Sequence, residues 1–188
     1  MYNFSFKNPT KLIFGKGSIT QLQKEIPIDK KILITFGGGS VKTNGVYQQV
    51  IDALKNHTCF EFWGIEPNPT YETLMEAVNQ ARANNIDFLL AVGGGSVLDG
   101  TKFIASAIPY ENDPWEIVID DRKIKKTIPL ASVLTLPATG SEMNGGAVIS
   151  RKTTLEKYAF HHPLIYPVFS ILDPETCYSL PKHQIAAG

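Results

Sequence analysis

Several features that would assign the chain to a particular protein class are absent from its sequence. Two cysteines, Cys59 and Cys177, are too few and too scattered for a disulfide framework, which favours a reducing compartment. No run approaches the roughly 20 apolar residues of a membrane span, and the first seven residues lack a signal-peptide pattern. The 18 basic and 18 acidic residues cancel, so no charge pattern for nucleic acid is visible. We expect a cytoplasmic protein that binds neither nucleic acid nor a membrane.

What the sequence does contain is the tetrapeptide Gly-Gly-Gly-Ser, twice. Residues 37–40 follow the apolar run at 31–36, and residues 93–96 follow the apolar run at 86–92. Glycine lets the backbone turn sharply and lets a ligand approach the main chain. Free N–H groups at the start of a following helix attract anions. Two such turns in one sheet predict a ligand with several phosphate groups, such as a nucleotide cofactor.

Apolar runs typical of strands alternate with segments of helical periodicity. This alternation predicts an α/β fold with a parallel, doubly wound, Rossmann-like sheet. The predicted strands cover residues 31–36, 59–62, 86–92, 128–136 and 168–172; residues 147–150 and 158–160 form a hairpin, and residues 2–14 form an edge strand or a hairpin. The predicted helices cover residues 18–25 and 47–55, a segment capped by Thr70, and a segment from the second glycine turn to residue 107. Ligands of such sheets bind at the carboxyl ends of the strands, where both turns lie.

The second glycine turn carries its own helix-start signal. Ser96 is placed to cap the helix, with Asp99 three residues later as in a capping box, while the Ser96 hydroxyl faces a phosphate. A structural cap without any ligand is the competing interpretation. The turn is not the Gly-x-Gly-x-x-Gly fingerprint, which disfavours a common Rossmann dehydrogenase.

The first glycine turn lacks an acidic residue. NAD-selective sites usually hold an acid near the end of a strand for the ribose 2′-hydroxyl, but none lies between Phe36 and Lys42. Backbone N–H groups, the Ser40 hydroxyl and the Lys42 ammonium are instead suited to a 2′-phosphate. The sequence therefore predicts NADPH rather than NADH, against the alternative of a loop without preference.

A third polar segment follows the strand at residues 128–136. Thr135, Thr139 and Glu142 surround a glycine there, and their side chains can bond a ribose, an adenine edge or a helix terminus. An ordinary Ser/Thr turn is the alternative.

Two histidines, His161 and His162, are adjacent in the sequence. In an extended segment they point to opposite faces, so they do not suit one metal. The sequence singles out no catalytic residue and no metal ligand.

Six segments in chain order together form a recognisable pattern. They are Pro-Thr-Lys-Leu-Ile-Phe-Gly-Lys-Gly at residues 9–17, Gly-Gly-Gly-Ser-Val-Lys at 37–42, Gly-Ile-Glu-Pro-Asn-Pro at 64–69, Ala-Val-Gly-Gly-Gly-Ser-Val-Leu-Asp-Gly-Thr-Lys at 91–102, Leu-Thr-Leu-Pro-Ala-Thr-Gly-Ser-Glu at 134–142 and Ala-Val-Ile-Ser-Arg at 147–151. With these segments the chain resembles the amino-terminal, dehydroquinate synthase-like domain of the iron-containing (group III) alcohol dehydrogenases. The sequence is most similar to the NADPH-dependent butanol dehydrogenase and aldehyde reductase branch.

The resemblance implies a set of cofactor-binding residues. Gly94, Gly95, Ser96 and Asp99 would hold the pyrophosphate and the nicotinamide ribose side, and Gly37, Gly38, Gly39 and Ser40 the 2′-phosphate. Six further residues would contact the cofactor. They are Asn68 at the adenosine ribose, Thr135 and Thr139 in the adenosine pocket, Asn144 and Lys157 from the hairpin, and Tyr178 from the loop before the last helix.

The resemblance also implies a division of the protein. Residues 1–180 would form the dinucleotide-binding domain, and residues 181–188 would begin a truncated helical domain that binds iron or zinc, so that this chain alone would bind NADP(H) but turn over nothing. The implied reaction interconverts primary alcohols and aldehydes, in a homodimer. Two alternatives stay open: another enzyme of this fold, such as an NAD-dependent polyol dehydrogenase or a dehydroquinate synthase-like lyase, and a non-enzymatic nucleotide-binding module.

Overall fold

Strands and helices alternate along the chain in the structure, a computed structural model that describes residues 3, 5 and 7–187. The strands are β1 (Lys11–Phe14), β2 (Lys31–Phe36), β3 (Thr58–Phe62), β4 (Phe88–Gly94), β5 (Leu130–Leu136), β6 (Gly146–Arg151), β7 (Glu156–His161) and β8 (Phe169–Leu172). The α-helices are α1 (Leu22–Glu25), α2 (Ser40–Thr43), α3 (Val46–Ala53), α4 (Tyr71–Ala83), α5 (Gly95–Ala107), α6 (Trp115–Ile119) and α7 (Lys182–Ala187).

Six of these strands form one parallel sheet in the order β1-β8-β5-β4-β2-β3, which confirms the predicted Rossmann-like fold. The chain runs outward from β2 to β3, then returns to β4 on the other side of β2 and continues outward to β5 and β8. The strand order therefore reverses between β2 and β4. In open α/β sheets this reversal opens a crevice at the carboxyl ends of the two strands, where ligands bind.

Both faces of the sheet are covered by apolar side chains. Ile32 and Leu90 belong to a cluster on one face, while Leu33 and Leu89 belong to a cluster on the other, with α4 and α5. Burial on both faces explains why the central strands are continuous apolar runs rather than alternating patterns. β6 and β7 form a separate antiparallel hairpin, as predicted, beside α5 and α6.

Several predicted boundaries move. β4 begins and ends two residues later than predicted, because Gly93 and Gly94 continue to pair with β5 across a bulge. The helix predicted over residues 18–25 is a one-turn 3₁₀ helix at Ser18–Gln21 followed by α1. Thr70 does precede α4, but its hydroxyl donates to Glu66 Oε1 at 2.8 Å and caps no backbone N–H.

The amino-terminal segment also differs from its prediction. Of residues 2–14, only Lys11–Phe14 forms a strand in the described part, and it pairs in parallel with β8 at one edge of the sheet. Part of that prediction falls on Tyr2, Phe4 and Phe6, which lie outside the described residues. No described helix is both long and apolar enough to cross a membrane.

Candidate functional site

The two glycine turns face each other across the crevice between β2 and β4. The first follows Phe36 at the end of β2, and the second forms the junction of β4 and α5. A Cβ added to Gly37 would lie 3.4 Å from Val97 Cγ2, and a Cβ added to Gly93 would lie 2.6 Å from the same atom. One side chain therefore lies between both turns, and the fold brings the two predicted phosphate sites together.

The amino terminus of α5 has no side-chain cap. Gly94 occupies the N-cap position in an extended conformation, and no side chain of the described residues accepts from the first N–H groups of the helix. The predicted capping box of Ser96 and Asp99 is therefore wrong. The Asp99 side chain turns away to other partners: its Oδ1 accepts from Ser141 Oγ at 2.7 Å and its Oδ2 from Val148 N at 3.1 Å. Uncapped N–H groups at a helix start are donors for an anion.

The second turn is closely packed. A Cβ on Gly95 would lie 2.6 Å from Thr139 Oγ1, and a Cβ on Gly93 would lie 2.8 Å from Val97 Cβ. Thr139 is an exposed residue of the loop after β5, so this contact brings that loop against the start of α5. Thr135 is buried within β5, next to Leu136, the residue that pairs with Gly94.

The first turn is open. Gly39 has φ +99°, which favours glycine, whereas Gly38 lies outside the left-handed region and would carry a Cβ with no atom within 4 Å. Ser40 begins α2, a helix of four residues. Beyond it, the exposed Lys42 places its Nζ 4.0 Å from the centre of the Trp63 ring.

An aromatic cluster supports this lysine. Phe36 and Trp63 stack with ring centres 4.0 Å apart, and Tyr47 lies beside both. Glu61 fixes the cluster, since its two carboxylate oxygens accept from Tyr47 OH at 2.9 Å and from Trp63 Nε1 at 2.8 Å. The hydrogen bond from Tyr47 to this carboxylate raises the pKa of Tyr47. Lys42 is therefore held beside the first turn on a rigid apolar support.

Asn68 and Lys157 contact each other. Asn68 has φ +56° in the Pro-Asn-Pro loop, and its Oδ1 accepts from Lys157 Nζ of β7 at 2.8 Å. The hairpin turn is fixed to the same region, because Lys152 Nζ donates to Glu66 Oε1 at 2.8 Å and Ser150 N donates to Pro69 O at 3.0 Å. Two site residues predicted on separate segments are thus in direct contact.

Tyr178 lies in the carboxyl-terminal segment of the described residues. It is 78% exposed, and its neighbour Ser179 accepts from Asn44 Nδ2 at 3.3 Å. Asn44 directly follows α2, so the carboxyl-terminal segment contacts the end of the helix that begins at the first glycine turn.

A cleft of about 470 Å³ lies beside the hairpin and is lined in part by Asp99, Thr139, Ser141 and Asn144. Below it lies Lys102 of α5, which the sequence reasoning did not single out and which is fully buried. Its Nζ donates to Ser141 Oγ at 2.8 Å, Asn144 Oδ1 at 2.9 Å and Gly146 O at 2.8 Å. Lys102 is the one charged residue after Asp99 in α5, and this was the available signal, since a buried charge needs specific partners.

Burial shifts the pKa values of this pair in opposite directions. It lowers the pKa of Lys102 to about 8, against the attraction of Asp99 and Glu142. It raises the pKa of the Asp99 carboxyl, against the hydrogen bonds from Ser141 and Val148 and the charge of Lys102. Among the described residues, no three His, Cys, Asp or Glu side chains cluster as a metal site would require. Burial also raises the pKa of Cys59 to about 11, which does not suit a nucleophile.

Comparisons with known proteins identify one family. The family model described as iron-containing alcohol dehydrogenase matches residues 9–174. The chain is similar to the NADPH-dependent aldehyde reductase YqhD of Escherichia coli, at 59% identity over all of this chain and 49% of the relative. It is similar to the probable NADH-dependent butanol dehydrogenase 1 of Bacillus subtilis, at 48% identity over all of this chain and 49% of the relative.

Among solved structures, the crystal structure of E. coli K-12 YqhD superimposes with a TM-score of 0.94 at 58% identity, covering 98% of this chain and 48% of that one. The chain thus spans about half the length of the relatives that it matches. The names of these relatives differ in the cofactor that they state, NADPH in one and NADH in the other.

Proposed function

The chain belongs to the iron-containing alcohol dehydrogenase family, and on that premise we propose that it is the cofactor-binding part of an NADP(H)-dependent oxidoreductase that interconverts primary alcohols and aldehydes. The observation that carries the proposal is the pair of glycine turns at the reversal of strand order, with uncapped N–H groups at the start of α5. These donors fit a pyrophosphate, which needs close backbone approach and no opposing acid. No acidic residue lies in the first turn of α5.

In this arrangement the dinucleotide crosses the crevice from one turn to the other. The adenosine half lies at the first turn, with Gly37, Gly38, Gly39 and Ser40 around the 2′-phosphate and Asn68, Thr135 and Tyr178 around the adenosine. Thr139, expected from the resemblance in the adenosine pocket, is placed instead beside the pyrophosphate, because it lies against Gly95 and lines the hairpin cleft. The pyrophosphate lies on Gly94, Gly95 and Ser96. The nicotinamide half then reaches the cleft of Asp99 and Asn144. Lys157 contacts the cofactor from the hairpin, beside Asn68. The nicotinamide ring supplies or accepts the hydride when bound.

The preference for NADPH over NADH is supported by the first turn. No acid lies between Phe36 and Lys42 to accept a bond from a ribose 2′-hydroxyl. The exposed ammonium of Lys42 is held beside that turn on the Trp63 ring and offers a positive charge to a 2′-phosphate.

The remaining parts of the proposal concern the whole protein. The divalent metal, iron or zinc, does not fit the described residues, because they contain no cluster of ligands for it. We place its ligands outside residues 1–180, the proposed cofactor domain, with residues 181–188 at the start of a helical metal-binding domain. We also propose a homodimer in the cytoplasm that acts on alcohols and aldehydes.

A cofactor-binding assay combined with a turnover assay tests this function. The 188-residue chain is titrated with NADPH by fluorescence and then given butyraldehyde while NADPH consumption is followed. We expect binding without consumption. Consumption would contradict the assignment of the metal to another part of the protein, and absence of binding would contradict the nucleotide site and favour an interaction module.

A further inference from the structure

Lys102 is the one fully buried ammonium group among the described residues, and the three atoms that accept hydrogen bonds from it are all neutral. An ammonium has three donors and no acceptor. All three are used, by the hydroxyl of Ser141, the side-chain oxygen of Asn144 and the backbone oxygen of Gly146. The Asp99 carboxylate is linked to it only through Ser141, whose hydroxyl donates to Asp99 Oδ1 at 2.7 Å. Burying an ammonium without a carboxylate in direct contact is costly, so these neutral contacts need an explanation.

The contact with Asn144 has a direct consequence for the orientation of its amide. Because Lys102 Nζ can only donate, the atom that faces it must be the amide oxygen, and a flipped amide would place NH₂ against an ammonium. The same oxygen also accepts from Gly146 N at 2.9 Å, which uses its second lone pair. The Asn144 oxygen is therefore fully occupied.

What remains of the Asn144 side chain is its NH₂ group. Nδ2 donates no hydrogen bond to any of the described residues, and Asn144 lines the cleft beside Asp99 and Ser141. Asn144 is half-buried, so the amide is accessible from that cleft. The part of the Asn144 side chain that faces a ligand in this cleft is thus only a hydrogen-bond donor.

We propose that Lys102 is a positioning residue that holds the oxygen of Asn144, so that only its NH₂ group is presented to an acceptor oxygen on the nicotinamide-ribose half of the cofactor. This inference rests on the proposed function, since it takes NADP(H) as the ligand. The position of the cleft indicates that it faces the nicotinamide-ribose half of the cofactor. The cleft lies on the β5 and hairpin side of the start of α5, away from the first glycine turn.

The sharpest variant is Asn144→Asp, because it keeps the shape and the acceptor facing Lys102 but replaces the donor with an oxygen. We expect NADPH affinity to fall by about tenfold or more in Asn144→Asp, since a carboxylate facing an acceptor oxygen repels it. This loss should be at least as large as the loss in Asn144→Ala. Binding of 2′,5′-ADP, which has the adenosine and the 2′-phosphate but no nicotinamide ribose, should change by less than about twofold. Unchanged NADPH affinity in Asn144→Asp would overturn the proposal.

Lys102→Met separates positioning from a merely structural role. Methionine has similar length without charge or donors, and it frees the Asn144 amide to rotate. We expect NADPH affinity to fall by about fivefold while 2′,5′-ADP affinity is kept, and the double variant Lys102→Met with Asn144→Ala to lose no more affinity than Asn144→Ala alone. Equal losses for both ligands would indicate a general structural role, and additive losses would indicate independent action; either contradicts the proposal.

One measurement on the unchanged chain keeps the inference testable if Lys102→Met does not fold. The side-chain NH₂ resonances of Asn144, assigned by their loss in Asn144→Ala, should shift on addition of NADPH and stay in place on addition of 2′,5′-ADP. Resonances that NADPH leaves in place would overturn the inference. If the unchanged chain binds neither ligand, the proposed function fails as well; if it binds both and the variants alter neither, only this inference fails.

Discussion

The two Gly-Gly-Gly-Ser turns have the same sequence but different environments. In the second turn, a Cβ on Gly93 or Gly95 would come within 2.6 Å of another side chain, so packing alone demands glycine there. In the first turn, Gly38 and Gly39 would each carry a Cβ into open space. The same tetrapeptide is therefore a packing element at the α5 junction and an accessible surface loop at the end of β2.

The lysines that follow the two turns differ in the same way. Lys42 is exposed on the face of Trp63, whereas Lys102 is fully buried under the hairpin with three neutral acceptors. One is available to a ligand directly, and the other acts only through its neighbours. We infer that the first turn sets which cofactor is accepted, and that the second turn sets the structure on which any cofactor rests.

The largest difference is expected from alanine in each turn. Gly93→Ala brings a methyl group against the stiff, buried side chain of Val97 and should reduce the free energy of unfolding by about 1–3 kcal/mol. Gly38→Ala, its matched control, meets no atom within 4 Å and should change that quantity by less than about 0.5 kcal/mol. Urea unfolding of both variants measures the contrast, and similar losses in the two would refute it.

An acid in the first turn should change cofactor choice without affecting the fold. Gly38→Asp places a carboxylate beside the site proposed for the 2′-phosphate, and repulsion should weaken NADPH relative to NADH by about tenfold, roughly 1.4 kcal/mol. Gly38→Asn is the control of equal shape without charge and should keep the original ratio. The ratio of the two dissociation constants is measured by fluorescence titration. An unchanged ratio in Gly38→Asp would place the 2′-phosphate elsewhere.

The buried lysine should make stability depend on pH. Its folded-state pKa of about 8 lies below the ordinary 10.5, so between these values the unfolded chain binds more protons than the folded chain. This group therefore makes the free energy of unfolding rise with pH across that window, whereas Lys102→Met lacks the contribution. The difference, unchanged chain minus variant, should grow by on the order of 1 kcal/mol. Urea unfolding at several pH values measures it, and a constant or falling difference would contradict the buried charge.

The smallest effect is expected for the exposed lysine. Lys42→Ala removes one solvent-exposed charge and should weaken NADPH binding by about threefold at low salt, with little effect on NADH, since exposed ion pairs contribute up to about 1 kcal/mol. Lys42→Arg keeps the charge and should restore most of the affinity. Titrations at two salt concentrations check this, because the loss should shrink as salt screens the charge. An equal loss for NADH would show that Lys42 does not act on the 2′-phosphate.

The fold was largely predictable because its signals are local. The apolar run at residues 31–36 coincides with β2, since both faces of that strand are covered and turn residues bound it. The predicted end of β4 was wrong because its last pairs, formed by Gly93 and Gly94, depend on β5. Glycine is a weak strand residue when read alone.

The candidate site was predictable where a residue acts through its own backbone position, and less so where it acts through distant partners. Both glycine turns lie at the predicted strand ends. Asp99 was misread as a helix cap because its true partner, Ser141, is 42 positions away in sequence. Lys102 was not predicted as a site residue because its partners are also distant in sequence. Its three acceptors all lie in the segment before β6 or at the start of β6.

The most direct test of the whole account is a fluorescence titration of the unchanged chain with NADPH and, in parallel, with NADH. We predict that NADPH binds at least about tenfold more tightly, about 1.4 kcal/mol, because the first turn has no acid and has Lys42 beside it. Equal affinities, or tighter binding of NADH, would contradict the role given to the first turn. Binding of neither cofactor would contradict the nucleotide site itself.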